Sequence, residues 1–471
     1  MSAQTILIEE DYVSKDFLHD YASYYALCFE RYPKFCKRVH FFSSKFTKEE
    51  FQAIALGNES DNKGFWDQYL GFIVVKPIPV TVIGYSVLRT YANSRKFDER
   101  NFWGTRPYKV HLYGNEVELN SLAFQEQDSV LAACATTAIW TMLNKAAVDF
   151  STILKSPSQI TKDADSVSPD GSRLFPNKGL DLLQICKAIL NSGLVSEIKQ
   201  DNCSIKNSRG ESLIVVSNQY LKKILNAYSP IGIPIILVVS VPNGKGYGLH
   251  AITISGFRQK APAHIPPRAE ISWLSDNIVK FYAHDDQWGP FARIEFQKGE
   301  ELSSPWTLLI SPTEPTYAIN IVVSVYPKIR ISYEDIEAIV LGLDTILTLF
   351  FDKWIVSDLV WDIKIDFSEH HKSLIKSSSL EPAEKMTRLS KSQPKYLWIA
   401  SCYIDEHKIL EFTFDATDVR SGMIGEDLVS YLPDVIRREL KQHLILNQGL
   451  QERLFQHIAS VKYYQFLIDK L

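Results

Sequence analysis

The sequence lacks the patterns that would commit it to disulfide, metal, nucleic-acid or membrane chemistry. Its six cysteines (Cys28, Cys36, Cys134, Cys186, Cys203, Cys402) form no CxxC pair and no regular spacing. Neither a zinc ribbon nor a disulfide framework is therefore expected, and free thiols in a reducing cytosol are. The eleven histidines include no HExxH; the His370–His371 pair follows Glu369 in a charged stretch and reads as solvated surface. Cationic excess is also missing, since 51 Lys and Arg stand against 55 Asp and Glu for a net charge of -4. That balance argues against a nucleic-acid partner or an anionic lipid surface. The opening MSAQTILIEEDY has no basic segment followed by an apolar one, so no signal peptide is expected. The most apolar long stretch, Ile339 to Val356, carries Asp344, Asp352 and Lys353 and reads as a buried helix, not a membrane span. The composition thus predicts a soluble, cytoplasmic protein with no cofactor, no metal and no membrane partner.

What is present suffices for two or three domains: 471 residues with 45% hydrophobic content, and no internal repeat or low-complexity tract. Three regions are expected. Residues 1–120 begin with an aromatic-rich helix (Tyr12 to Phe29) and continue into apolar runs such as GFIVV and VTVIGYSVL, a mixed α/β lobe. Residues 121–312 read as helix, loop, helix and then strands. Residues 313–471 alternate strand-like IVVSVYP and YLWIASCYI with helical IEAIVLGLDTILTLFF, an α+β domain that could bind a partner. Within it, HHKSLIKSSSLEPAEKMTRLSKSQPK reads as an exposed loop or loose helix. Asp415 and Asp418 in FDATD read as an Asx-type turn and not a metal pair.

The chemistry concentrates in the middle region. Cys134 lies in QEQDSVLAACATTAIWTMLNKAAVDF, where apolar residues recur at helical spacing around much of the circumference. In the first turn of such a helix, free backbone N–H groups and the positive helix end would face the sulfur and favour a nucleophilic thiolate. A lone cysteine on an apolar helix is ordinarily inert core, so its neighbours must carry the argument. The stretch SPSQITKDADSVSPDGSRLFPNKG that follows reads as a polar loop, with a helix from about Leu180 marked by Pro176 and Gly179. Downstream, IGIPIILVVSVPNGKGYGLHAITISGF gives a strand, a Gly-rich hairpin turn at Asn243 to Gly246, and a second strand opening at His250. An imidazole there can face a cleft and carry protons. The next strand, VKFYAHDDQWGPF, ends in Asp285 and Asp286. Either carboxylate can hold the histidine's tautomer. By strand alternation Phe281, Ala283 and Asp285 share an inward face, whereas the Tyr282, His284 and Asp286 face tolerates solvent, which favours Asp285.

The order of helix-borne Cys, strand-opening His and strand-closing Asp before a WG pair resembles the papain-like cysteine peptidases, and most closely their bacterial leader-processing (double-glycine) branch. GLHAITISGF is similar to that branch's "GHA…GY" strand. HDDQWGP resembles both its "NDPxxG" phrase, which selects Asp285, and papain's "NSWG", which selects Asp286. The resemblance covers residues 121–312. It implies an α+β fold with a papain-like core, a buried nucleophile helix packed on an antiparallel sheet, flanked by N- and C-terminal α/β extensions. It implies Cys134 as nucleophile, His250 as base and Asp285 or Asp286 as the orienting acid. The family's oxyanion-hole glutamine stands six positions before the cysteine, where this chain has Asp128; Gln127, one residue further upstream, takes the role in preference to Gln125. No transporter domain accompanies the core, so bacteriocin export is not the expected setting.

Three readings follow. The first is a cysteine peptidase acting on a protein or peptide through a thioester acyl-enzyme. The second keeps the acyl chemistry but changes the bond or acceptor, as in a deamidase, transglutaminase or isopeptidase. The third is an inactive scaffold that binds a protein partner. In every version the flanking regions leave room for a regulatory partner.

Overall fold

The computed structural model describes residues 2–57, 62–91, 98–128, 133–165, 179–244, 246–260, 271–351, 358–418, 424–454 and 460–471. The fold is mixed α+β with predominantly antiparallel sheets. No described helix is long and apolar enough to cross a membrane. The chain forms two compact units: Met1–Asn218, Gly232–Arg258 and Lys280–Tyr326 make the first, and Gln219–Ile231, Gln259–Val279 and Pro327–Leu471 the second.

In the first unit, the strands Thr5–Tyr12, Cys36–Phe42, Tyr69–Val75 and Ile83–Leu88 form an antiparallel sheet in that order. Gly71 sits where this sheet closes up: its φ is +117°, and a Cβ there would meet the Val87 carbonyl oxygen at 2.1 Å, so no side chain fits. The helix expected over Tyr12 to Phe29 is shorter, spanning Lys15–Ser23 and followed by a 3-10 turn at Tyr25–Leu27. Tyr12 instead ends the first strand, whose residues alternate in exposure as strand residues do.

The larger sheet of this unit has eight strands. Its order is Leu302–Ser303, Gly289–Phe296, Ile278–Asp285, Tyr247–Lys260, Ile235–Pro242, Tyr317–Val325 and Val195–Lys199, with Asp98–Asn101 also pairing with Tyr247–Lys260. Ile235–Pro242 and Tyr247–Lys260 form the expected hairpin, with Asn243 N–H donating to the Gly246 carbonyl at 3.0 Å. The helix Cys134–Asp149 buries eleven residues, among them Trp140, Met142 and Leu143. Part of the stretch read as a polar loop is a helix, Pro157–Asp165, because Ile160, Thr161 and Ala164 recur on one buried face among the polar residues. The next helix runs Leu182–Leu190 behind an Asp181/Gln184 capping box. Pro176 lies outside the described residues.

The second unit is built on a five-stranded sheet in the order Ser272–Trp273, Leu359–Phe367, Tyr396–Ile404, His407–Asp415 and Gly425–Ser430. The apolar stretch beginning at Ile339 lies in the helix Tyr333–Phe351, and its residues 352–356 are outside the described ones. The Ser- and Lys-rich segment forms two helices, Ser368–Ser377 and Pro382–Ser390. His371 corrects the solvated reading of the histidine pair: it is buried, and its Nε2 lies 2.9 Å from Glu411 Oε1. Adjacent residues on a helix point about 100° apart, so His370 stays exposed, 2.7 Å from Asp366, while His371 turns inward. Asp415 makes the expected Asx turn, its carboxylate accepting the Thr417 N–H at 2.6 Å.

Candidate active site

Cys134 is the first residue of its helix, behind Ala133 in an extended conformation with no capping side chain. Among the described residues no side chain caps that first turn, so its backbone donors and the helix's positive end can act on the sulfur. The helix is fixed from two directions. Trp140 Nε1 donates to Asp16 Oδ2 at 3.0 Å, and Thr253 Oγ1 donates to the Ala138 carbonyl at 2.7 Å. Thr253 lies three residues after His250 on one strand, and Ala138 one turn after Cys134, so this bond sets the thiol against the imidazole.

His250 is buried at 4% exposure, its imidazole is hydrogen-bonded to Asp285, and the Cys134 thiol acts on it electrostatically from nearby. Its Nε2 is 3.0 Å from Asp285 Oδ1 and 3.3 Å from Asp286 Oδ1. With Nε2 turned to the carboxylates, Nδ1 is left for the thiol. Burial works against the imidazolium, but the Asp285 hydrogen bond, the neighbouring Cys134 thiol and the charges of both aspartates outweigh it and hold the group well above the usual histidine range.

The two carboxylates are held differently. Asp285 is satisfied: Oδ1 accepts the Gln287 N–H at 3.0 Å and Oδ2 accepts the Trp306 indole N–H at 3.0 Å. Asp286 is equally buried, yet neither of its oxygens has a hydrogen-bond partner. Burial pushes its carboxyl up to about 7, aided by the Asp285 charge and opposed by His250. His250, Asp285 and Asp286 each present one ligand atom, all within 4.8 Å of one another, a spacing at which they could share a metal ion.

Both carboxylates reach one nitrogen because strand alternation ends at Asp285. The register with Gly289–Phe296 shifts between Ala283 and Asp285, and the Trp288 N–H closes a turn onto the Asp285 carbonyl at 3.1 Å. The opposite face does not tolerate solvent: Tyr282 is fully buried and His284 nearly so. His284 Nε2 donates to the Leu122 carbonyl at 3.0 Å, and burial pulls its imidazole down to about 4. This side of the strand is covered within the same unit by Phe102, Phe124 and Phe291.

Of the residues named near the cysteine, Asp128 is buried and accepts the Tyr25 hydroxyl at 2.7 Å, with Lys76 at 3.9 Å. Gln127 is partly exposed. Gln125 is buried, and its amide Nε2 has no partner. Trp306 was not legible from the sequence. It comes from the short helix Pro305–Leu309, its ring centroid is 5.2 Å from that of His250, and it packs edge-on against Trp288. The Ser304-Pro305 cap announces a helix start, but nothing in the sequence ties that helix to Asp285. No family model matches the chain, and no curated protein matches it in sequence.

Proposed function

We propose that this protein is a papain-like cysteine hydrolase, acting first as a peptidase, with Cys134 as nucleophile, His250 as general base and Asp285 as the acid that orients the imidazole. One observation carries the reading: Cys134 at the start of a buried helix, His250 close enough for the thiol to act on its imidazole, and Asp285 hydrogen-bonded to His250, brought together from three distant segments. Asp285 holds the Nε2 proton, which keeps Nδ1 directed at sulfur. The Cys134 thiol gives its proton to His250 as the resulting thiolate attacks the substrate carbonyl. The tetrahedral oxyanion is met by backbone N–H at the helix start and by a glutamine amide. His250 then protonates the departing amine, leaving a thioester. Water, deprotonated by the same imidazole, hydrolyses that thioester to release the acid and restore the thiol.

The test is N-terminal profiling of a cell lysate treated with wild-type protein or with Cys134→Ala. New peptide termini made only by the wild type are expected. Ammonia release without new termini would move the assignment to amide chemistry on the same thioester. A Cys134 thiol inert to iodoacetamide, while other exposed thiols label, would remove the enzyme reading altogether and leave a binding scaffold.

A further inference from the structure

The site holds one carboxylate more than orientation of His250 requires. Asp285 already carries the imidazole hydrogen bond and is itself fixed by Gln287 and Trp306. Asp286 adds a second acid at the same nitrogen, 95% buried, with neither oxygen hydrogen-bonded. A buried carboxylate whose oxygens have no hydrogen bond, only an ion pair with His250 at 3.3 Å, is expensive, and native proteins leave few such groups unless an ion or water completes them. The two spacings from the imidazole nitrogen already suit vertices of a coordination shell. His250 Nε2 stands 3.0 Å and 3.3 Å from the two aspartate oxygens. Ligands about 2.0–2.1 Å from one metal at tetrahedral or octahedral angles stand roughly 2.9–3.4 Å apart.

We propose that His250 Nε2, Asp285 Oδ1 and Asp286 Oδ1 form a binding site for a divalent cation of the zinc class, and that occupancy switches the thiol off. One imidazole nitrogen with two carboxylate oxygens suits a borderline ion; a soft ion would want sulfur, and calcium would want only oxygen. Two carboxylate charges neutralise the ion's +2 without help from Cys134. Inhibition follows from proton placement. A neutral imidazole ligated through Nε2 keeps its one proton on Nδ1, so the nitrogen facing sulfur becomes a donor and can no longer accept the thiol proton. Starting from the imidazolium, binding releases one proton to solvent; starting from the neutral ring, the Nε2 proton moves to Nδ1. Asp285 at the same time exchanges its hydrogen bond to the ring for a bond to the metal. The inhibitory sense rests on the hydrolase reading, whereas the binding does not.

The experiment is calorimetric titration of the full-length protein with zinc chloride alone, on the wild type, Asp286→Asn, and Cys134→Ala. One ion per chain is expected for the wild type and for Cys134→Ala. Asp286→Asn should weaken binding by more than the ~10–100-fold that loss of an outer-shell partner costs. Iodoacetamide labelling of Cys134 in Asp286→Asn, together with a cooperative thermal melt, shows that the site is still folded. Zinc binding that disappears with Cys134→Ala would place the ion on the thiol and overturn the proposal. So would binding unchanged in a folded Asp286→Asn, or no binding to the wild type. If zinc binds as described but no turnover is found, the hydrolase reading fails and the metal site stands. Turnover indifferent to zinc at saturation would sink the switch.

Discussion

Gln125 and Gln127 differ in what their amides lack. The oxyanion donor needs an N–H held away from water with nothing else to bond, and Gln125 Nε2 is buried without a partner while Gln127 is partly exposed. Burial thus favours Gln125 over the glutamine preferred on sequence spacing. Gln125→Ala is expected to lower turnover by about two to three orders of magnitude, the cost of losing an oxyanion donor, and Gln127→Ala by less than about tenfold. The reverse ranking in steady-state kinetics would restore the spacing argument. Trp306 acts one step further out, by donating to Asp285 Oδ2. Trp306→Phe keeps the ring against His250 and removes only that donor, worth roughly 1.5–3 kcal/mol for a charged acceptor. Turnover should fall by about tenfold or more while Cys134 still reacts with iodoacetamide, since the thiol and its helix are untouched. At this scale the sequence revealed types and order, Cys then His then Asp, because the chemistry needs those groups. The tryptophan was hidden because its role depends on a helix 21 residues from Asp285, and Asp286 was legible only as an alternative to Asp285, since the turn that brings both to one nitrogen was not.

The helix and strand that carry the thiol and the imidazole are coupled through one side-chain bond, Thr253 Oγ1 to the Ala138 carbonyl. Thr253→Val replaces the hydroxyl with a methyl in a buried position. The Ala138 carbonyl keeps its place in the helix ladder, so the stability cost should be only about 1 kcal/mol, read from the denaturant midpoint. The distance from sulfur to imidazole is less tolerant, and kcat is expected to fall further than the stability loss alone would suggest. An unchanged kcat would mean that packing holds the two elements in register without the bond. The helix Cys134–Asp149 was legible because its apolar residues run around most of its surface. The helix Pro157–Asp165 was not, since its buried face is built from Ile160, Thr161 and Ala164 amid lysine and aspartates. Strand alternation failed in the same local way: it held to Ala283 and stopped where the Asp285 turn begins, bringing residues of both faces to one nitrogen. His371 turned inward for the equivalent reason, a helical step separating it from its exposed neighbour.

For the whole molecule, buried ionisable groups set how stability varies with pH. Burial raises Asp20 and Asp286 to about 7, from an ordinary 3.8, so the folded chain holds protons that the unfolded chain releases. Each therefore loses stability as pH rises from 3.8 through 7. His250, raised above 6.5, contributes stability that is fully present below 6.5 and is lost as pH rises through its folded value. His40 and His284, both lowered to about 4, work oppositely: they favour folding as pH rises from 4 to 6.5 and add nothing beyond. Between pH 6.5 and 8 the changes at Asp20, Asp286 and His250 share one sign, and Tm should decline across that interval. Asp20→Asn should flatten the slope and raise Tm at pH 8; a Tm that climbs from pH 6.5 to 8 would contradict this balance. A different consequence follows from the path of the chain. The first unit resumes at Gly232 and again at Lys280, and the stretches between, Gln219–Ile231 and Gln259–Val279, belong to the second. No single cleavage or stop codon therefore parts the two units. A truncated protein ending at Tyr326 would still carry Leu221, Ile224, Leu225 and Tyr228, each fully buried in the intact chain, without most of the unit they belong to. It should aggregate on expression, and only a chain with both excursions replaced by short linkers offers the first unit a route to folding by itself.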